Sequence, residues 1–390
     1  KEEKWLIAQQ VGFQGDVKST IVDAFKKQKL GMLPRGGVAC LLEKEYLEFP
    51  VQRRNKAFCF LPLPLETNLP VHINGHFVLD HESRRNLWRD EAGHVGYRSD
   101  WNNALLEDVV ASCYIDMLVE VKKLLGFGPK RSTKNKVLGK IRILESLFPQ
   151  EPTTDHYWET LVDSVYQEMD NRKLNLLPVV RHSAQRGRSS VDVTWLPPTG
   201  MGKQKAFFNN LADAGPFANI TEKDMEEAVN KRRQKFERML LRSGFNLVAF
   251  SMKMHDSFKR SGVATSCISA GDLIEFYGTF GAHDPLCTIG PIPCHVSKTV
   301  FEDEYGVKLV LSFCKEADDF LEKLPGLPLL LTQDNCLQLF SNVYPKFQSR
   351  FKDLLPGSPQ IFLHEEIDWK LFCTSDTSKL TVLKSLDADA

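Results

Sequence analysis

Val71-His-Ile-Asn74-Gly75-His-Phe-Val-Leu79 is the stretch on which the reading of the fold turns. Apolar side chains alternate on both sides of an Asn-Gly pair. That dipeptide most readily supplies the two positive-φ positions of a tight β-hairpin. The spacing therefore predicts a hairpin with its turn at Asn74 and Gly75. Working back, Trp5-Leu-Ile-Ala, Gly37-Val-Ala-Cys-Leu-Leu and Ala57-Phe-Cys-Phe-Leu are short apolar runs bounded by Gly, Pro or charge, which is how strands read. Pro62, Pro64 and Pro70 cannot donate to a central ladder and place their segment at a sheet edge or strand end.

Working forward, the period changes at Trp101. Leu105, Leu106, Val109, Val110, Cys113, Met117, Val121 and Leu124 recur at three- and four-residue steps, predicting an amphipathic helix over 102–125 that Gly126 stops. Further helices are expected over 134–147 and 155–169. Leu177–Arg181 and Ser190–Trp195 read as a second hairpin. Beyond it, helix and strand alternate. Helices are expected from Thr221 to Gly244, around 269–278 and around 314–323. Strands are expected at Asn246–Phe250, Leu327–Thr332, Cys336–Phe340 and Ile361–His364, with Gln333-Asp-Asn as a turn. The fold class is thus a mixed α+β and α/β chain. Residues 1–172 are expected to form a β-rich unit with helices, and residues 173–390 an α/β unit.

Composition narrows the function classes. Lys and Arg number 50 and Asp and Glu number 50 among 390 residues, so charge gives no reason to expect nucleic-acid or membrane-surface binding. No apolar stretch is long enough for a membrane-spanning helix. The nine cysteines are scattered, several within apolar runs, as reduced cytosolic cysteines are. A cytoplasmic location is expected. The opening Lys1-Glu-Glu-Lys-Trp-Leu-Ile is unlike a signal peptide and lacks an initiator Met, so the chain reads as a piece of a longer protein.

Each chemistry-bearing motif fails on a specific residue. His72 and His76 have the spacing of helical zinc ligands, but Asn74-Gly75 lies between them and Ile73 stands where a metalloprotease needs Glu. Cys287, Cys294 and His295 lack the paired spacing of a zinc site. Gly202-Lys203 would close a phosphate loop, but Pro197 and Gln204 occupy its other defining positions. Asn210-Leu-Ala-Asp213-Ala214 matches the core of the GHKL-type ATPases, yet Ala206 replaces the general base. The basic run from Lys130 to Arg142 has no interleaved aromatics for stacking bases. No catalytic residue, cofactor or metal is expected. Arg84 and Arg85, within Ser83-Arg-Arg-Asn-Leu-Trp88-Arg89, read as a helix start capped by Ser83. Their guanidinium groups could reach a phosphate or carboxylate offered by a neighbouring domain, or pair locally with Asp80, Glu82, Asp90 or Glu91.

The string from Cys59 to Leu79, followed by Ser83-Arg-Arg-Asn-Leu-Trp-Arg-Asp90 and Asp100-Trp-Asn-Asn-Ala-Leu-Leu106, resembles the large internal repeat of the sacsin family. Gly326-Leu-Pro-Leu-Leu-Leu-Thr332, Leu354-Leu-Pro and Phe362-Leu-His364 are similar to that repeat as well. The resemblance implies an upstream GHKL-type nucleotide-binding domain in cis, absent from this chain. It implies a very large cytosolic chaperone-like protein carrying a ubiquitin-like region and a J domain elsewhere. The partners it implies are the seventy-kilodalton heat-shock chaperone, the proteasome and intermediate filaments. The expected role is a non-catalytic structural and contact module. The alternative is the transducer part of a split ATPase, with Arg84 or Arg85 at the neighbouring nucleotide. A hydrolase using Cys294 and His295 is a third reading.

Overall fold

A computed structural model describes residues 3–42, 55–82, 84–90, 96–127, 133–149, 156–185, 188–212, 223–281, 287–289, 299–301, 303–340, 346–348, 357, 359–367 and 383–385. The fold is mixed α+β. The chain divides into two compact units, one of residues 1–180, 190–208 and 248–266, the other of 181–189, 209–247 and 267–390.

The first unit is built on a five-stranded sheet. Its strands are β1 (Lys4–Val11), β2 (Arg35–Leu42), β3 (Lys56–Cys59), β4 (Leu61–Glu66) and β5 (His72–Gly75), in spatial order β1-β2-β5-β3-β4, with helix α1 (Ser19–Lys26) between the first two in sequence. All neighbouring pairs are antiparallel except β3 with β5. β4, with Pro62 and Pro64, is an edge strand, as its missing donors require.

The Asn-Gly pair does not make a hairpin. Asn74 and Gly75 lie inside β5, opposite Gly37 and Gly36 of β2, and Gly75 is not among the glycines with positive φ. After Gly75 the backbone leaves the sheet and is held by helix side chains. Trp101 Nε1 donates to His76 O at 2.8 Å, while Asn102 accepts from Val78 N at 2.8 Å and donates to Val78 O at 2.9 Å. Asn102, fully buried, thus takes the place of a neighbouring strand. Gly75 is needed for space. A Cβ there would lie 2.6 Å from the Phe77 ring and 3.1 Å from Leu105 Cδ2.

The helix expected over 102–125 begins earlier and is not uniform. Helix α2 (Tyr97–Ala104) runs into a π-helical turn, Leu105–Val110, and then into α3 (Ala111–Leu125). Leu105, Leu106, Val109 and Val110 are completely buried, pressed against the inner face of β2 and β5. Gly126, at φ 61°, ends α3, as a left-handed cap does. Thr133 caps α4 (Lys134–Ser146) by accepting from Lys136 N. Helix α5 (His156–Asn171) packs on α3 and the π turn. Buried hydroxyls tie these helices to the end of α4, with Tyr114 donating to Leu147 O at 2.8 Å and Tyr166 to Pro149 O at 3.0 Å. Strands β6 (Leu177–Gln185) and β7 (Arg188–Leu196) pair as the second expected hairpin, and β8 (Phe207–Phe208) follows. The long α6 (Lys223–Ser243) belongs to the second unit and α7 (Met252–Arg260) to the first. The strand expected at 246–250 is reduced to a bridge, Val179 with Val248.

In the second unit, β9 (Ser266–Cys267), which starts one residue before it, leads into α8 (Ala270–Gly281), β10 (Cys287–Ile289) and β11 (Thr299–Phe301). The helix expected around 314–323 lies earlier, as α9 (Glu304–Cys314), because the Asp303 side chain caps it by accepting from Gly306 N at 3.0 Å. Only a single turn, α10 (Phe320–Lys323), follows. Strands β12 (Leu330–Leu331) and β13 (Cys336–Gln338) are antiparallel, joined through Asn335 at φ 58°. They complete a four-stranded sheet in the order β11-β10-β13-β12. Residues 362 and 363 contribute a bridge from Leu363 to Thr332 rather than a strand. A parallel pair, β14 (Lys346–Gln348) with β15 (Leu383–Ser385), is separate. Phe236, Tyr277, Phe301 and Phe313 form the aromatic centre of this unit.

Gly75→Val adds a branched side chain where one Cβ already collides. We expect a loss of about 1–3 kcal/mol from overpacking, read as a lower melting temperature, with Gly75→Ala intermediate. An unchanged melting temperature for the Val variant would place Phe77 and Leu105 elsewhere.

Candidate functional site

The segment from Asp80 to Arg89 is a loop rather than the expected helix start. The reason is Asp80. Its Oδ1 accepts from Arg84 N and its Oδ2 from Asn86 N, both at 2.9 Å. The backbone closes back through Asp80 N to Asn86 O at 3.0 Å and Trp88 N to Val78 O at 2.8 Å, and Leu79 bridges Leu87. A carboxylate that takes two loop N–H groups competes directly with helix formation. Arg84 is held at φ 52°. Ser83, the expected cap, and Glu91 lie outside the described residues.

Arg84 and Arg85 are both exposed. Among the described residues no carboxylate pairs with the Arg84 guanidinium, since Asp80 meets only its backbone N–H. Below them, cations and rings alternate. Arg98 lies 4.5 Å over the Trp88 ring and 5.6 Å over Tyr97, and Arg89 lies 5.8 Å over Tyr157. His81 meets Trp88 edge-on at 4.9 Å, and the Tyr157 hydroxyl donates to Trp88 O. A cavity of about 310 Å³ opens beside them, lined by Leu65, Asn86, Leu87, Arg89, Tyr157 and Trp158.

Asp90 fixes this arrangement. It accepts from Trp88 Nε1 at 2.8 Å and Gly96 N at 2.6 Å, and its own N–H donates to Ser99 Oγ at 3.2 Å. Burial alone would push its carboxyl up. The hydrogen bonds from Trp88, Gly96 and Ser99 and the charge of Arg98 outweigh that and hold it below its ordinary value. Sequence reading did not find Asp90, Arg98 or Tyr157 as members of this cluster. Their only signal is spatial, since Tyr157 comes from α5.

The other motif residues are committed to internal bonds. His72 lies in β5, where Nδ1 accepts from Lys56 N at 3.0 Å and the ring stacks 5.3 Å from Trp5; burial lowers its pKa. His76 Nδ1 is 3.0 Å from Leu33 O. Asn210 uses both amide atoms on one residue, donating to Ile268 O at 3.2 Å and accepting from Ile268 N at 3.0 Å. Asp213, Cys294 and His295 lie outside the described residues. Gly202–Gln204 is a short 3-10 turn. Lys140 donates to Gly126 O at 2.8 Å, satisfying the end of α3. Burial pushes the thiols of Cys113 and Cys314 up to about 12 and that of Cys40 to about 11, away from the thiolate form a nucleophile needs. Among the described residues no helix is long and apolar enough to cross a membrane.

Human sacsin is 34% identical to this chain over 385 residues, covering 92% of the chain and 8% of sacsin. The chain therefore spans a small part of the length of the relative it matches. No family model matches, and no solved structure matches.

Asp90→Asn removes the charge that Arg98 faces while keeping the side-chain size. We expect about 1 kcal/mol of destabilisation at neutral pH, most of the ion-pair part being screened by solvent. A carboxyl with a lowered folded pKa contributes stability above its unfolded value, about 3.9, and loses it as pH falls through the folded pKa. The melting temperatures of the two proteins should begin to converge at about pH 4 and meet only below the lowered folded value. A gap unchanged down to pH 2 would remove the charge from the account.

Proposed function

Proceeding from the chain as a sacsin-related segment, we propose that it is a non-catalytic structural and contact module of a giant cytosolic co-chaperone. The observation that carries this reading is the internal commitment of its chemistry-bearing side chains. Asn210, the residue that would hold Mg²⁺ in a GHKL-type site, spends both amide atoms on Ile268. The described histidines of the paired motif are engaged with backbone. On this reading the module takes part in protein folding and quality control from the cytoplasm. It serves client or interdomain contacts beside an upstream GHKL-type domain. The seventy-kilodalton heat-shock chaperone, the proteasome and intermediate filaments are partners proposed for the whole protein.

One observation favours a second reading, in which the segment is the transducer of a split ATPase. Arg84 carries an exposed guanidinium without a carboxylate partner among the described residues, on a loop whose shape is fixed from below by Asp80. A cation carried on a preformed loop suits a developing phosphate charge.

The isolated chain should neither bind nor hydrolyse ATP. Micromolar binding by calorimetry, abolished by Asn210→Ala, would overturn the module reading. In a fusion with its upstream domain, Arg84→Ala should leave both ATP turnover and melting temperature unchanged. A loss of turnover of tenfold or more at constant melting temperature would instead establish the transducer reading, because transition-state stabilisation alone would have been removed.

A further inference from the structure

The five-stranded sheet treats its two edges differently. The β4 edge carries Pro62 and Pro64 in Leu-Pro-Leu-Pro-Leu-Glu, the device by which edges are closed to further pairing. The β1 edge has no such protection. Its sequence, Lys-Trp-Leu-Ile-Ala-Gln-Gln-Val, has no Pro and only one charge, at its first position. Its register against β2 runs unbroken from Lys4 opposite Leu42 to Val11 opposite Arg35. Among the described strands nothing lies on its far side.

Two hydrogen bonds fix which backbone groups face outward. Gly12 N donates to Pro34 O at 2.7 Å, and on the other side of β2 His76 N donates to Arg35 O at 3.0 Å. Even-numbered residues of β1 therefore bond to β2. The N–H and C=O groups of Trp5, Ile7, Gln9 and Val11 then point away from the sheet, by the alternation of an antiparallel ladder. Three of these residues also expose large apolar side chains, Trp5 at 37%, Ile7 at 58% and Val11 at 65%. Beside them a shallow groove of about 380 Å³ runs over Gly37, Ala39, Phe58 and His72.

We propose that β1 is a pairing edge through which two copies of this chain join antiparallel, about a two-fold axis at Ile7. The strand is self-complementary in that register. Ile7 meets Ile7, Trp5 meets Gln9, Lys4 meets Gln10 and Glu3 meets Val11, so no like charges are opposed. Odd residues face odd residues, so the apolar outer faces of the two sheets become continuous. The chain carries no net charge, so long-range repulsion does not oppose association. An eight-residue strand pair buries less than the roughly 1,200 Å² of a standard interface. The dimer is accordingly expected to be weak and concentration-dependent.

The test is sedimentation of the 390-residue chain over a series up to about 100 µM, with hydrogen exchange of the peptide covering β1 at each concentration. The wild type should approach twice its 44.4 kDa mass, and β1 amides should gain protection in step. Ile7→Pro removes an outward N–H and none of the bonds to β2, and Ile7→Lys sets two charges against each other. Both should remain monomeric at an unchanged melting temperature. Leu61→Lys, at the proline edge, should still dimerise. If Ile7→Pro unfolds the sheet, Ile7→Lys decides. A wild type that stays monomeric throughout overturns the proposal, whether its β1 amides exchange freely or are protected by another part of the same chain. So does a dimer that survives both Ile7 substitutions.

Discussion

The first unit rests on a close approach between a helix and a sheet, at the π turn Leu105–Val110 and glycines 36 and 75. A Cβ on Gly36 would stand 2.9 Å from Val110 Cγ2 and 3.1 Å from Val109 Cγ1, and one on Gly75 would meet Leu105. Both glycines are paired with each other across β2 and β5, so together they make one flat seat in the sheet. The helix fills it with a widened turn, from which Leu105 reaches Gly75 and Val109 and Val110 reach Gly36. A π insertion is strained relative to an α-helix, and the packing it permits offsets that cost. The remaining elements take their positions from this contact. Trp101 and Asn102 sit just ahead of it and pin residues 76–78, while α5 covers its other side. Lys18 and Thr20 reach the buried carboxylate of Asp100 from α1, at 2.8 and 2.6 Å.

This contact also explains what the sequence could and could not convey. Runs of alternating or periodic apolar residues reported the strands β1, β2 and β3 and the helices α3, α4 and α5, because those patterns reflect burial directly. The prolines of β4 reported an edge for the equally local reason that they lack a donor. Asn74-Gly75 misled because two physical demands select glycine. A turn selects it for positive φ, and a tight crossing selects it for the missing Cβ. Nothing within nine residues separates them, since the side chains that need the space are Phe77, which is near, and Leu105, which is not.

The helix start expected at Ser83 failed in a similar way. Short polar side chains favour helix caps and loops alike, and the decision rests with the partner that captures the free N–H groups. Asp80, three residues upstream of Ser83, takes the N–H groups of Arg84 and Asn86. Among the functional candidates, the arginines were legible as charge, and their exposure follows from it. Asp90 was named only as a local partner for the arginines, and Tyr157 was not legible, because it reaches the loop from α5 after the intervening helices.

Polar groups are allocated in this chain in a way that bears on both readings of its function. Asn102 and Asn210 each satisfy the N–H and C=O of a single distant residue, acting as fragments of strand where no strand is present. An asparagine used so is held in one orientation by two backbone bonds, which for Asn210 are both to Ile268. The loop at Asp80 follows the opposite logic. There the Asp80 carboxylate takes two backbone N–H groups, while Arg89 and Arg98 lie over aromatic rings and Arg98 also faces the charge of Asp90. Ring contacts orient a guanidinium without cancelling its charge. Arg84 presents an exposed guanidinium that no carboxylate pairs among the described residues. An anion meeting that surface gains Coulomb energy, and little further conformational entropy is lost in shaping a loop whose backbone is already fixed. On the transducer reading, this loop is where the segment would offer electrostatic free energy to a neighbour.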